Sequence, residues 1–250
     1  MRFSTDGLII KEQNIGEKDR LVTVLTKSHG VITAFVRGAK SIKNSKCAST
    51  SLLCYSRLDI YEGRDSYIID DAKSTEMFVR LRKSVENMSL AQYFCEIALH
   101  LFPREQDCSE FLRLILNSLY LLSNEKKEPL LIKACFEMRV MCMCGYMPDL
   151  VMCSSCGEYE QEQMGFLPKQ GKLICGSCLA KNPNHDAIIM SRGVTTALRH
   201  TIFAESEKLF SFTLSKQGLI LLNQITETYI ANHTEKDFPT LAFYKAISRE

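Results

Sequence analysis

Residues 136–157 read FEMRVMCMCGYMPDLVMCSSCG, and a second Cys-x-x-Cys follows at Cys175 and Cys178. The first part of this stretch reads as the end of a helix that runs to about Cys144. Gly145 suits its C-terminal cap and Pro148 the stop beyond it. The second part supplies the first of two cysteine pairs, Cys153/Cys156 and Cys175/Cys178, with eighteen residues between Cys156 and Cys175. That spacing is expected of a four-cysteine zinc site. Zn2+ takes soft thiolates tetrahedrally, and two residues between paired cysteines let both sulfurs reach one ion. Gly157 and Gly176 suit the tight turns of such knuckles.

Four thiolates close the coordination shell, so a structural Zn2+, one per chain, is the expectation. A catalytic zinc keeps an open position for water. A nucleobase deaminase would want Pro-Cys-x-x-Cys after a His-x-Glu. Here Met152 precedes Cys153, and no His-x-Glu lies upstream of the pairs. A thiol oxidoreductase would want one Cys-x-x-Cys beside a βαβ pattern, and two pairs argue against it.

Working outward, 250 residues suit one large domain or two smaller ones. An apolar fraction of 46% with 24% charged residues gives a chain able to bury a core. No apolar run is long enough to span a membrane, and MRFSTDGLIIKEQ at the start lacks the apolar segment of a secretory signal. Seven cysteines lie outside the pairs (Cys47, Cys54, Cys95, Cys108, Cys135, Cys142 and Cys144). They read as reduced, buried thiols of a cytoplasmic protein.

Residues 1–73 read as strands. Gly7–Lys11, Arg20–Lys27, Val31–Arg37, Leu52–Tyr61 and Tyr67–Asp70 are short runs rich in β-branched and aromatic residues. His29-Gly30 suits a hairpin between the second and third. Five short strands suggest a small closed barrel, either an OB-fold or an SH3-like barrel. Charge is uneven here. Residues 1–80 hold 13 Lys/Arg and 10 Asp/Glu, a balance of +3, whereas residues 81–250 hold 18 and 19, a balance of −1. From Arg20 to Leu58 there is no acidic residue, and the cations are Arg20, Lys27, Arg37, Lys40, Lys43, Lys46 and Arg57. A local field of one sign is the footprint of a polyanion partner. The loop GAKSIKNSKCAST (residues 38–50), with Arg37, spaces four of these cations three apart, with Ser41, Asn44 and Ser45 available to phosphate oxygens. Arg20, Arg37, Lys40, Lys43, Lys46 and Arg57 are therefore the candidate nucleic-acid contacts. Phe35, Tyr55, Tyr61 and Tyr67 are the aromatics that could stack bases, but each is expected in the barrel core.

Helices are expected from about Ser74. Leu90, Phe94, Ile97, Ala98 and Leu101 fall on one helical face ending before Pro103. Phe111–Leu122, apolar nearly all round, reads as the buried central helix. Pro129 fits the first turn of the next. Further helices are expected over Ser191–Ala204 and Lys216–His233. No phosphate-binding Gly-x-x-x-x-Gly-Lys-Ser/Thr occurs, since Leu173 follows Gly171-Lys172, so no nucleotide cofactor and no catalytic residue is expected.

Three stretches together resemble one family. GLIIKEQNIGEKDRLVTVLTKSHGVITAFVRGAK is similar to the N-terminal barrel of RecO, the bacterial recombination mediator of DNA repair. The quoted cysteine stretch resembles that family's helix, Gly-Tyr-x-Pro corner and first zinc pair. TYIANHTEKDFPTLAFYKAI resembles its last helix and tail. The resemblance covers essentially the whole chain, in order. It implies an α+β multidomain protein: an OB-fold over residues 1–80, then an all-α domain over 81–250 with an inserted zinc module at about 149–182. It implies binding of single- and double-stranded DNA, annealing of complementary strands, and contact with RecR and with the acidic C-terminal tail of single-stranded-DNA-binding protein (SSB). Together these load the RecA recombinase onto coated strands, in the cytoplasm and at the nucleoid during repair. Many relatives carry Arg just before the Phe-Glu pair; here Ala134-Cys135 stand there, so Lys133 or Arg139 would replace it as the tail contact. The rival reading is a zinc-stabilised adaptor whose basic loop is merely solvated.

Overall fold

The computed structural model describes residues 1–41, 46–64, 66–183 and 186–248. The chain forms two compact units, Met1–Asn124 with Phe238–Glu250, and Glu125–Asp237. The expected division at 80/81 parts barrel from helices, whereas the compact units divide after the third helix, and the C-terminal segment returns to the first unit.

The first unit opens with β1 (Arg2–Ile15), β2 (Asp19–Thr26) and β3 (Val31–Val36). A single helical turn, α1 (Lys46–Ser49), precedes β4 (Tyr55–Glu62) and β5 (Tyr67–Glu76). They close into a barrel of order β1-β2-β3-β5-β4, with β1 also paired to β4 and β3 parallel to β5. That order, which strand count could not give, is OB-like. Inward residues alternate along each strand, as a sheet with one buried face requires: Val22 and Val24, Ile32, Ala34 and Val36, Leu58 and Ile60 all fill the interior. β5 runs to Glu76, through the place where helices were expected to start.

A 3-10 turn (Val79–Lys83) leads to α2 (Val85–Leu101), followed by α3 (Ser109–Ser123). Ser84 caps α2 by accepting from the Asn87 amide at 3.1 Å. The Glu96 carboxylate on α2 accepts from both the amide and the hydroxyl of Thr240, which starts the last helix, α8 (Pro239–Ile247). Phe238 stacks edge-on against Tyr93. These contacts hold the C-terminus on the first unit.

Gly30 at the β2–β3 hairpin has φ +64°, and a Cβ there would lie 2.4 Å from the Pro103 carbonyl oxygen and 3.0 Å from Arg104 Cα. The hairpin tip thus meets the end of α2 backbone to backbone, with Val31 donating to Pro103 at 3.0 Å and Glu105 to His29 at 3.1 Å. Gly30→Ala is expected to cost more than about 1 kcal/mol, because both the dihedral and the approach are lost. An unchanged denaturant midpoint would contradict this packing.

The second unit holds α4 (Pro129–Met143), α6 (Arg192–Phe203) and α7 (Lys216–Thr234). The most buried helix is α4 rather than α3: every residue from Leu131 to Met138 is buried, whereas α3 leaves Tyr120 exposed. Gly145, with φ +89°, ends α4 as expected. The cysteine segment is more than a loop. It forms a four-stranded sheet of order β6-β8-β7-β9, from Asp149–Cys153, Gln163–Leu167 (β7), Lys172–Cys175 (β8) and Ile188–Ser191 (β9), with the short α5 (Gly176–Lys181) after β8. The Tyr229 hydroxyl on α7 donates to the Tyr146 carbonyl at 3.1 Å, and its ring lies against Phe166, joining sheet to helices.

Candidate metal centre and nucleic-acid interface

The sheet brings the cysteine pairs together. Cys153 ends β6, Cys175 ends β8, and those two strands run parallel. Cys156 follows in the turn, where Gly157 takes φ +77° and donates to the Cys153 carbonyl at 2.9 Å. Gly176 needs no such freedom; it opens α5, which carries Cys178. The four sulfurs lie within 4.8 Å of one another, with Cys156 and Cys175 Sγ 3.6 Å apart. A tetrahedron with Zn–S bonds of about 2.3 Å has edges of about 3.8 Å, so this donor set fits a thiolate-bound ion. The backbone is arranged for negative sulfur: Cys175 N donates to Cys153 Sγ at 3.2 Å and Cys178 N to Cys175 Sγ at 3.4 Å. Burial raises the Cys153 thiol, but amides of Cys175, Ser155 and Cys156 hold it down to about 6. Cys178 is pushed up to about 12 by sharing its proton with Cys156 and Cys175. A cation would release those protons. No other such cluster occurs among the described residues. Burial pushes the Cys95 thiol to about 12 and that of Cys108 to about 11, as expected of inert core thiols.

The basic candidates divide. Arg20 is turned against α1: its guanidinium lies 3.4 Å from the Glu12 carboxylate and donates to the Cys47 carbonyl at 3.1 Å. Its side chain is 11% exposed, so it secures α1 rather than facing a phosphate. The reason is register, since Arg20 pairs with Val36, an inward position. Arg57 is paired to Asp6 at 3.3 Å on the outer surface. Lys40 Nζ donates to the Gly16 carbonyl at 2.8 Å and ties its loop to the β1–β2 turn. Arg37 is exposed at the end of β3, and Lys46 begins α1. Lys43 lies outside the described residues. Two aromatics expected inside are outside: Phe35 is 38% and Tyr61 41% exposed.

Lys133 is corrected as a partner contact. It is fully buried, with Nζ 2.9 Å from both the Glu137 and Glu227 carboxylates and 3.3 Å from Asn223 Oδ1. The α4 helix is covered on that side by α7, so no partner's carboxylate can reach it. Arg139 donates to the Thr201 and Ala204 carbonyls at 3.1 and 2.7 Å, closing the C-terminus of α6. A groove of about 730 Å³ nearby is lined by Val151, Tyr159, Phe203, Arg192 and Arg199. The first three are exposed apolar groups. Arg199 stacks 4.3 Å over the Tyr159 ring and donates to the Leu150, Val151 and Tyr159 carbonyls, at 2.6 to 3.0 Å. Its charge is thus held by dipoles. Arg192 is paired with Glu160. Sequence reasoning missed this groove, whose residues come from β6, the following loop and α6.

The chain matches two family models, described as Recombination protein O N terminal over residues 1–78 and Recombination protein O C terminal over residues 82–242. It is 33% identical over 247 residues to a DNA repair protein RecO of Acetivibrio thermocellus, covering 99% of this chain and 98% of that one. A DNA repair protein RecO of Symbiobacterium thermophilum is 26% identical, with 96% of each chain covered. One of Alkaliphilus metalliredigens is also 26% identical, over 99% of this chain and 100% of that one.

Proposed function

This chain belongs to the RecO family of DNA repair proteins, and from that premise we propose that it is a recombination mediator that binds and anneals DNA. It makes and breaks no covalent bond. The observation that carries this reading is an OB-like barrel whose acid-free stretch from Arg20 to Leu58 runs through β2, β3 and the loop after them. Two single strands repel through their phosphates. Arg37, Lys40, Lys43 and Lys46 neutralise part of that charge and release condensed counterions. Phosphate contacts carry no sequence information, so binding is sequence-tolerant.

The paired cysteines hold one structural Zn2+. With RecR, the protein helps load RecA onto SSB-coated strands in the bacterial cytoplasm. The SSB tail, acidic and apolar, would lie in the groove of Val151, Tyr159 and Phe203, with a tail carboxylate taking the place of Glu160 on Arg192, in place of the Lys133 expectation. Double-stranded DNA binds by the same phosphate chemistry.

The test is fluorescence anisotropy of a labelled single-stranded oligonucleotide across a salt series. Four phosphate contacts, at about −0.7 each, give a log–log slope of roughly −3. Changing Lys40, Lys43 and Lys46 to Glu should lower affinity uniformly across sequences. No binding by the unaltered chain at low salt would leave a zinc-stabilised adaptor as the better reading.

A further inference from the structure

We propose that Glu12 and Asp19 are positioning residues for the basic segment after β3: with Arg20 they hold its two ends, and removing either acid weakens binding of single-stranded DNA. This rests on the DNA-binding reading above. The direction runs against simple charge. Removing a carboxylate beside a polyanion site ordinarily strengthens binding, because a repulsion is lost.

Each end has its own holder. At the first, Asp19 Oδ1 accepts from the Gly38 amide at 2.9 Å, directly after Arg37. The Lys40 amide donates to the Lys18 carbonyl at 3.2 Å, and Lys40 Nζ to that of Gly16 at 2.8 Å. An ammonium bonded once keeps two N–H groups for a phosphate. At the second end, Glu12 Oε2 accepts from the Leu52 amide at 2.9 Å and lies 3.4 Å from Arg20 Nη1. Arg20 in turn donates to the Cys47 carbonyl and the Thr50 hydroxyl, at 3.1 and 3.4 Å. That hydroxyl donates to the Lys46 carbonyl at 2.6 Å. The Lys46 backbone is thus tied to β1 through Thr50, Arg20 and Glu12.

Two features show that this second end is held at a cost. Arg20 Nε is buried with no acceptor among the described residues, a desolvation penalty that the bonds of Nη1 must offset. Leu53 takes φ +63° although it carries a Cβ, a conformation that persists only where the surroundings over-determine it and that gathers at functional sites. Here Leu53 donates to the Ile9 carbonyl at 2.9 Å and Ile9 to that of Cys54 at 3.0 Å, beside the β1 bulge between Ile9 and Lys11. The gain is entropic: a cation whose backbone is already fixed loses less freedom when a phosphate arrives. The β1–β2 hairpin also carries a third acid, Glu17, exposed in its turn and without a bonded partner among the described residues. It holds nothing and can only repel, which makes it the control.

Anisotropy of labelled oligothymidylate across a salt series tests this. Glu12→Ala and Asp19→Ala should each weaken binding roughly two- to tenfold, with the log–log salt slope unchanged because no phosphate contact is removed. Asp19→Asn keeps an acceptor for the Gly38 amide and should restore the affinity. Glu17→Ala should bind at least as tightly as the unaltered chain. Lys46→Gln, which removes a contact, should instead lower the slope by about 0.7. Trypsin should cut after Lys46 faster in Glu12→Ala than in the unaltered chain. Circular dichroism and the thermal midpoint check that the barrel persists, and the two ends are separate, so a variant that fails to fold at one leaves the other to decide. If the unaltered chain binds while Glu12→Ala and Asp19→Ala bind as tightly as Glu17→Ala, or weaken with a shallower slope, the holding role is overturned and the DNA-binding reading stands. If the unaltered chain does not bind at low salt, both fall.

Discussion

Cys175→Ser is expected to abolish metal binding and unfold the module that carries the cysteines. Cys175 is the residue of choice because its side chain also caps α5, accepting from the Cys178 amide. Serine keeps that acceptor and removes the thiolate, so cap loss and ligand loss are separated. The binding free energy of a structural Zn2+ is folding free energy, about 10–16 kcal/mol in small zinc modules near neutral pH. A whole domain has only about 5–15 kcal/mol to lose. β6 and β8 meet at Asp149, Cys153 and their partners Lys172 and Leu173, a short pairing that an ion shared by Cys153 and Cys175 would clamp. The unaltered protein should contain one zinc by elemental analysis, and the variant none, with a much lower thermal midpoint. Cys142→Ser, outside the cluster, should keep the metal. Acidification should release the ion as the thiolates take up protons. A metal-free Cys175→Ser protein as stable as the unaltered chain would refute the structural role.

Lys133→Met is expected to cost about 3–5 kcal/mol, the range for removing one partner of a buried ion pair. Glu137 is fully buried and bonded to Lys133 at 2.9 Å and to the Thr226 hydroxyl at 2.5 Å. Without the ammonium its charge has one hydroxyl left among these partners. Glu227 suffers less, because its side chain is 20% exposed and can turn to water. The double variant Lys133→Met/Glu137→Met removes both buried charges and should recover much of the loss, since replacing a whole buried pair by apolar groups is often near neutral. Chemical denaturation gives both numbers. A single variant costing under about 1 kcal/mol, or a double variant worse than the single, would show that this buried pair and its bonds to Asn223, Thr226 and Glu227 do not hold α4 to α7.

The cysteine cluster was legible because its information is local: two knuckles need only two residues inside each pair and a suitable gap. The barrel strands were legible as runs, but their order was not, because pairing β3 with β5 and β1 with β4 joins residues far apart in the chain. The sheet around the cysteines escaped notice because β6 to β9 are only four or five residues each, too short for an alternation to emerge among the cysteines and glycines.

Lys133 and Glu137 stand four residues apart on one helix, and Lys133 was expected to be open to a partner. They are buried only because α4 is packed against α7, a fact no local pattern contains. VITAFVR alternates cleanly, and that alternation places Thr33, Phe35 and Arg37 together on one side. Which side faces water is set by closure of the barrel around Ile32, Ala34 and Val36. By itself, then, the sequence determined the two cysteine pairs, the acid-free basic stretch, the strand and helix runs and the family they resemble, all of which depend on near neighbours. Tertiary structure alone decided that Arg20 and Lys133 are internal, that Phe35 is external, and that a groove lies between β6 and α6. A side chain's surroundings depend on the strands and helices that close over it, and these come from distant parts of the chain.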